Sequence, residues 1–269
     1  MKVSELMTRE VLQVGREASL DEAMERMDTG DVRHLPVVED GRVVGMLSER
    51  DLLEVTGWLP PRVREVLDAP SGTVGDFMHS PVVSVSPQDS IVTASLRLLE
   101  WKIGCLPVLD DGVLVGLVSE SDVLGAYVRA CRNKSIPRDM DPDVEEYMTT
   151  EIELADHGME ADEALEICRS KQIRHLPIQE DDELMGIVSD RDLRLLVGRG
   201  QLEGTKLGDL PLKELVTAEC GTRLSNAAAL LVHHRIGALP VVEGRRLLGL
   251  VSSADVLAHC SRAFAKRVS

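Results

Sequence analysis

Apolar residues in the first fifty-odd positions fall into a succession of distinct patterns. A short stretch, Val11 to Val14, predicts an opening strand. Leu20, Ala23, Met24 and Met27 then recur at helical spacing and predict an amphipathic helix. Two apolar runs follow, Leu35 to Val38 and Val43 to Leu47, joined by Glu39-Asp40-Gly41-Arg42. An acidic, glycine-bearing joint of that kind predicts a hairpin. A second helix opens at Ser48 and carries Leu52 and Leu53. The order is β-α-β-β-α.

The same order returns three more times, with an opening strand at Val82 to Val85 in the second copy. Leu35-Pro36, Leu106-Pro107, Leu176-Pro177 and Leu239-Pro240 each open a hairpin, and Gly45, Gly116, Gly186 and Gly249 each lie nine residues beyond the proline. Three residues after each glycine comes Ser48, Ser119, Ser189 or Ser252, and three further on comes Asp51, Asp122, Asp192 or Asp255. Ala23, Ala94, Ala164 and Ala227 keep a constant place upstream. Val3-Ser4-Glu5-Leu6-Met7 aligns with Val74 to Met78 and Val144 to Met148, and Leu207 to Pro211 aligns with a changed last residue. The copies span 1–57, 72–128, 142–197 and 205–261. A unit of about 60 residues is at the lower edge of independent stability, so the copies are expected to pair and bury their sheets.

Odd and even copies differ. Copies one and three share Arg-His before Leu-Pro (Arg33-His34, Arg174-His175) and Arg-Asp after the serine (Arg50-Asp51, Arg191-Asp192). Copies two and four carry Ile-Gly (Ile103-Gly104, Ile236-Gly237), with Cys105 or Ala238 in the histidine's place. The alternation implies a duplicated two-copy module, 1–130 and 140–269. The segment from Cys131 to Glu146, basic and then acidic, is read as the linker.

Composition narrows the function. Thirty basic against 46 acidic side chains leave a net charge of −16, which opposes a role in tracking nucleic-acid phosphates. With two each of Phe, Trp and Tyr, the core must be aliphatic and base-stacking platforms are not expected. No apolar run reaches the ~20 residues of a membrane span, and the first residues turn acidic too soon for a signal peptide. The five cysteines are scattered without paired spacing, which fits a reduced, cytoplasmic protein. No metal-ligand spacing, nucleophile elbow or phosphate loop is present, so neither an enzyme nor a metal site is expected; the neighbours His233 and His234 fall on different helix faces.

The recurring opening, helix, Leu-Pro hairpin and Gly-x-x-Ser-x-x-Asp resemble the cystathionine-β-synthase (CBS) domain, and each pair of copies resembles a Bateman module. The resemblance covers most of the chain. It implies an α/β (α+β) fold in which paired units pack about a pseudo-two-fold axis, two modules making a disc. It also implies clefts that hold adenosine ligands: AMP, ADP, ATP or S-adenosylmethionine.

Ser-x-x-Asp has the spacing of a helix capping box, a structural role that requires no ligand. A helix N-terminus is also an anion site, and a carboxylate there can accept ribose hydroxyls. The resemblance implies that this aspartate holds the ribose and that a hydroxyl on the partner's opening strand faces the nucleotide. That position is Gln13, Ser84, Leu154 and Thr217 in the four copies, so hydroxyls fall in the even ones. Two complete sites are expected: Arg33, His34, Ser48, Arg50 and Asp51 with Ser84, Ile103 and Gly104; and Arg174, His175, Ser189, Arg191 and Asp192 with Thr217, Ile236 and Gly237. The arginines would neutralise phosphate, the histidines would titrate near neutral pH, the glycines would admit the adenine and the isoleucines would flank it. The clefts of Ser119 with Asp122 and of Ser252 with Asp255 are expected to be weaker. The expected role is a regulatory sensor of adenine nucleotides that self-associates and signals to an effector protein; the alternative is a ligand-free scaffold.

Overall fold

The computed structural model describes residues 1–58, 72–211 and 214–266. Copy one contains β1 (Val14–Gly15), α1 (Leu20–Gly30), β2 (His34–Glu39), β3 (Arg42–Ser48) and α2 (Glu49–Thr56). Copy two contains α3 (Val74–Phe77), α4 (Ile91–Trp101), β4 (Cys105–Asp110), β5 (Val113–Ser119) and α5 (Glu120–Arg132). Copy three contains β6 (Ala155–Asp156), α6 (Ala161–Ser170), β7 (His175–Glu180), β8 (Glu183–Ser189) and α7 (Asp190–Gly198). Copy four contains β9 (Ala218–Glu219), α8 (Leu224–His234), β10 (Ala238–Glu243), β11 (Arg246–Ser252) and α9 (Ser253–Lys266).

Each hairpin is antiparallel, and the opening strand lies parallel to its first arm. The opening strands are shorter and later than the hydrophobic pattern predicts. Pairing starts only at Val14 opposite Val37, and in copy two it shrinks to a single bridge of Val85 with Val108. The residues before those points are still arriving from the partner copy. Pro107 fits its strand because its carbonyl accepts from Val85 N–H where the opening strand has just begun; the missing proline N–H lies on that same side, ahead of the pairing. Two hairpins turn through Asp40-Gly41 and Asp111-Gly112 with positive φ at both residues, the geometry that matches strand twist. The third uses Asp181 and Asp182, at φ of 49° and 63°, without a glycine.

Copies one and two exchange their opening segments. Val3 N–H donates to Asp89 in copy two, and Val74 N–H donates to Ala18 in copy one. Thr8 then pairs with Leu117 on β5, and His79 with Met46 on β3. The second pair repeats this: Val144 N–H donates to Thr222, Leu207 N–H to Met159, and Thr149 pairs with Leu250. The exchange explains two sequence landmarks together. A Cβ on Gly116 would lie 2.7 Å from the sulfur of Met7, and one on Gly249 would lie 2.8 Å from that of Met148. Met78 sits on Gly45 in the same way. The opening methionine of one copy therefore fills the hollow left by the hairpin glycine of its partner.

The modules meet through helices, copy two against copy four and copy one against copy three. α4, α5, α8 and α9 enclose one apolar core that runs through both even copies, including Leu98, Leu124, Tyr127, Leu231, Leu257 and Phe264. Copies one and three have separate, smaller cores around Leu35, Leu47 and Leu52, and around Leu165, Leu176 and Leu193. The linker is pinned to the even side. Asp141 accepts from Tyr127 Oη at 2.9 Å, Ser225 N at 2.9 Å and Ser225 Oγ at 2.6 Å.

Candidate functional site

All four Ser-x-x-Asp pairs form capping boxes. Ser48 N–H and Oγ–H donate to Asp51 Oδ2 at 2.7 and 2.6 Å, and Asp51 N–H returns a bond to Ser48 Oγ. The same exchange joins Ser189 to Asp192, Ser119 to Asp122 and Ser252 to Asp255. The structural role inferred from the spacing is therefore occupied in every copy, through one carboxylate oxygen, Oδ2.

His34 and His175 sit across the ladder from Ser48 and Ser189. Each ring lies against the even partner's glycine: a Cβ on Gly104 would stand 3.3 Å from His34, and one on Gly237 would stand 2.8 Å from His175. The expected open approach for an adenine at Gly104 and Gly237 is thus filled by imidazole, and the missing Cβ makes room for the ring. Burial pushes the His34 imidazole down to about 4, against the pull of the Asp51 carboxylate, and burial lowers His175 as well. Burial therefore works against a charge on either ring, contrary to the expectation that they respond near neutral pH. Cys105, in the histidine's place, is buried and its thiol is pushed up to about 12.

The positions one residue ahead of the opening pair are half-buried at Ser84 and Thr217 and exposed at Gln13 and Leu154. The hydroxyls of the even copies therefore lie deeper than their odd counterparts. Ile103 and Ile236 are half-buried and pack on the shared even core, so the apolar face expected for a base is at least partly committed to that core.

The arginines depart most from the expectation. Arg50 reaches across the module boundary to Asp190 at 2.9 Å, and Arg191 makes the reciprocal contact with Glu49 at 2.5 Å. Buried Arg194 lies 3.7 Å from Asp190 and from Glu54. Arg33 approaches Glu49 at 4.0 Å and donates to the carbonyl of Arg235 in copy four, whose own guanidinium holds Asp31. Arg174 acts electrostatically on Glu120 of copy two. The arginines assigned to two separate clefts thus converge on one seam where all four copies meet. Glycines let the helices close there: a Cβ on Gly198 would collide with the backbone of Gly57, and one on Gly57 with that of Gly198. Glu49 and Asp190 were missed in the sequence because they sit inside a recurring motif whose obvious reading is a cap, and Arg194, Gly57 and Gly198 because they follow it as ordinary helix and helix-end residues.

One further side chain enters the first cleft. His79, on the segment that leads into Ser84, places Nε2 2.9 Å from Asp51 Oδ1. The structure therefore brings copy two's opening segment to copy one's aspartate. Among the described residues no cluster of His, Cys, Asp or Glu is arranged to hold a metal, and no helix is long and apolar enough to cross a membrane.

Comparison with known proteins agrees with this architecture. The CBS-domain profile matches residues 3–56, 74–129, 144–199 and 207–262. Protein MJ1225 of Methanocaldococcus jannaschii is 24% identical over 96% of this chain and 98% of its own length. Its crystal structure superposes with a TM-score of 0.77, covering 96% of this chain and 99% of that one. A conserved protein of Pyrococcus horikoshii superposes with a TM-score of 0.68 at 20% identity, over 97% and 100% of the two chains. A 33.4 kDa protein encoded in a ribosomal RNA operon of Thermofilum pendens is 30% identical over 88% of this chain and 83% of its own. With its four matched repeats paired as two Bateman modules, the chain belongs to the CBS-domain family.

Proposed function

We propose that the chain is a regulatory sensor that takes an adenosine nucleotide (AMP, ADP or ATP, with S-adenosylmethionine as a further candidate) into clefts between paired repeats and passes their occupancy to an effector protein. The observation that carries this reading is the seam: Arg33, Arg50, Arg174 and Arg191 converge where Asp51 and Asp192 start their helices, and carboxylates hold the first, second and fourth of these arginines. An entering phosphate accepts the same bidentate fork as Glu49 or Asp190 and can exchange with them. That exchange changes how copies one and three are held, so the ligand favours one arrangement over another. Membership in the CBS family supports an adenosine-type ligand.

The same seam also favours a second reading, a ligand-free scaffold, because its arginines already have protein partners. Calorimetric titration with AMP, ATP and S-adenosylmethionine separates the two. The sensor predicts saturable binding that weakens at least about tenfold in the double variant Asp51→Asn with Asp192→Asn, the variant's fold being checked by its unliganded melting curve. Heat-silent titrations with all three compounds and no change in melting temperature would establish the scaffold. Effector capture and self-association are separate steps, measured by sedimentation with and without nucleotide.

A further inference from the structure

The four carboxylates at the helix starts are not equally able to receive a sugar, and the difference is a count of acceptor positions. An ionised carboxylate offers about four lone-pair positions, two on each oxygen. At Asp122 and Asp255, the described partners are a serine N–H and a serine hydroxyl, both on Oδ2. At Asp51, Ser48 fills Oδ2 in the same way, and His79 Nε2 stands 2.9 Å from Oδ1. A carboxylate oxygen can only accept, so that ring nitrogen carries the hydrogen. Three positions are taken and one remains, whereas a ribose cis-diol brings two hydroxyl donors.

His79 owes its place to the exchanged opening segments. The backbone of His79 pairs with Met46 on β3, which sets the side chain above the start of α2. The corresponding residues in the copies that cross onto β5 and β11 are Thr8 and Thr149, too short to repeat the contact. The His79 side chain is 76% exposed while Asp51 is 17% exposed, so the ring can swing into water and the carboxylate cannot.

We propose that His79 is an internal competitor for the sugar-holding carboxylate of Asp51. It occupies the acceptor position that a cis-diol needs, and it must turn away before the first cleft fills. This inference rests on the sensor reading and adds to it a built-in affinity difference between clefts. The cleft at Asp51 has a higher threshold than those at Asp122 and Asp255, and a residue outside the recurring motif raises it.

The test is a double-variant cycle with AMP as the probe, on the full chain: wild type, His79→Thr, Asp51→Asn, and both together. Threonine restores the residue found at positions 8 and 149. Removing this exposed hydrogen bond should tighten AMP binding at one site about fivefold in His79→Thr. The same substitution should have no effect once Asp51 is asparagine, a coupling that a merely structural role for His79 would not produce. Circular dichroism and unliganded melting curves confirm that all four chains fold. If AMP binds but His79→Thr is unchanged or weaker, or tightens binding equally in both backgrounds, the competitor role is wrong and the sensor stands. If AMP, ATP and S-adenosylmethionine bind to none of the four chains, the sensor reading fails and the competitor role fails with it.

Discussion

The even and odd halves of the molecule are built from the same repeat and joined by opposite means. Copies two and four share a continuous aliphatic core, with Leu98, Leu124, Leu231 and Leu257 all buried in it. Copies one and three keep separate cores and meet through Arg50–Asp190, Arg191–Glu49 and a glycine-to-glycine helix contact. Burial of apolar surface is non-directional and strong, whereas half-exposed ion pairs contribute little and can exchange partners. The difference teaches that the even half is held by burial while the odd half is held by contacts that can exchange partners. It also places the exchangeable contacts beside the carboxylates at the helix starts.

The largest expected effects come from striking each half in its own currency. Leu124→Ala should cost about 3 kcal/mol and lower the single unfolding transition of both modules together, as read by urea titration followed by fluorescence and circular dichroism. Gly198→Ala forces a Cβ into the Gly57 backbone, which has no flexible side chain to yield, and should cost about 2 kcal/mol. Here the loss should be local: hydrogen exchange should rise in α2 and α7 while α4 and α9 keep their protection. Equal loosening of both halves would remove the contrast.

Charge reversal at the seam comes next. Arg50→Glu should destabilise by about 1 kcal/mol, with the loss smaller at high salt. A change of that size that ignores salt would mean that the pair does not hold the seam.

The buried imidazole of His34 sharpens the comparison through pH. An unfolded histidine takes its proton near 6.5, the folded ring only near 4, so the unfolded chain binds the proton first. Its contribution is whole above about pH 6.5 and is lost as pH falls toward 4, with a slope of at most about 1.4 kcal/mol per pH unit. His34→Gln should flatten the difference between stabilities at pH 7 and pH 5, and an unchanged pH slope would show that the ring is hydrated. The smallest effect belongs to a turn: Asp182→Gly relieves a positive φ and should raise stability by about 0.5 kcal/mol in thermal unfolding.

The fold was largely legible because its signals are local and fourfold. Leu-Pro, the glycine after the hairpin and the Ser-x-x-Asp cap each follow from strand, packing and helix-start chemistry, and repetition multiplies weak signals. The alternation of Arg-His with Ile-Gly also pointed to the correct pairs. What was not legible depends on the direction a side chain takes after its backbone is placed. Arg50 and Arg191 stand beside the expected ligand carboxylates in the chain, yet their guanidiniums leave for the other module. Gly104 looked like space for a base and is space for His34. The Met7–Gly116 contact joins two landmarks that lie on different copies, and nothing in either copy alone signals it. His79 carries no motif, and only the exchange of opening segments brings it to Asp51.

The central claim is that ligand occupancy is transmitted through the charged seam and not through the apolar one. Hydrogen exchange measured by mass spectrometry with and without saturating AMP tests it directly. The account predicts altered protection in residues 49–56 and 190–198, with residues 91–101 and 253–266 unchanged. Protection that changes only in those last two helices, or evenly across all four, would contradict it.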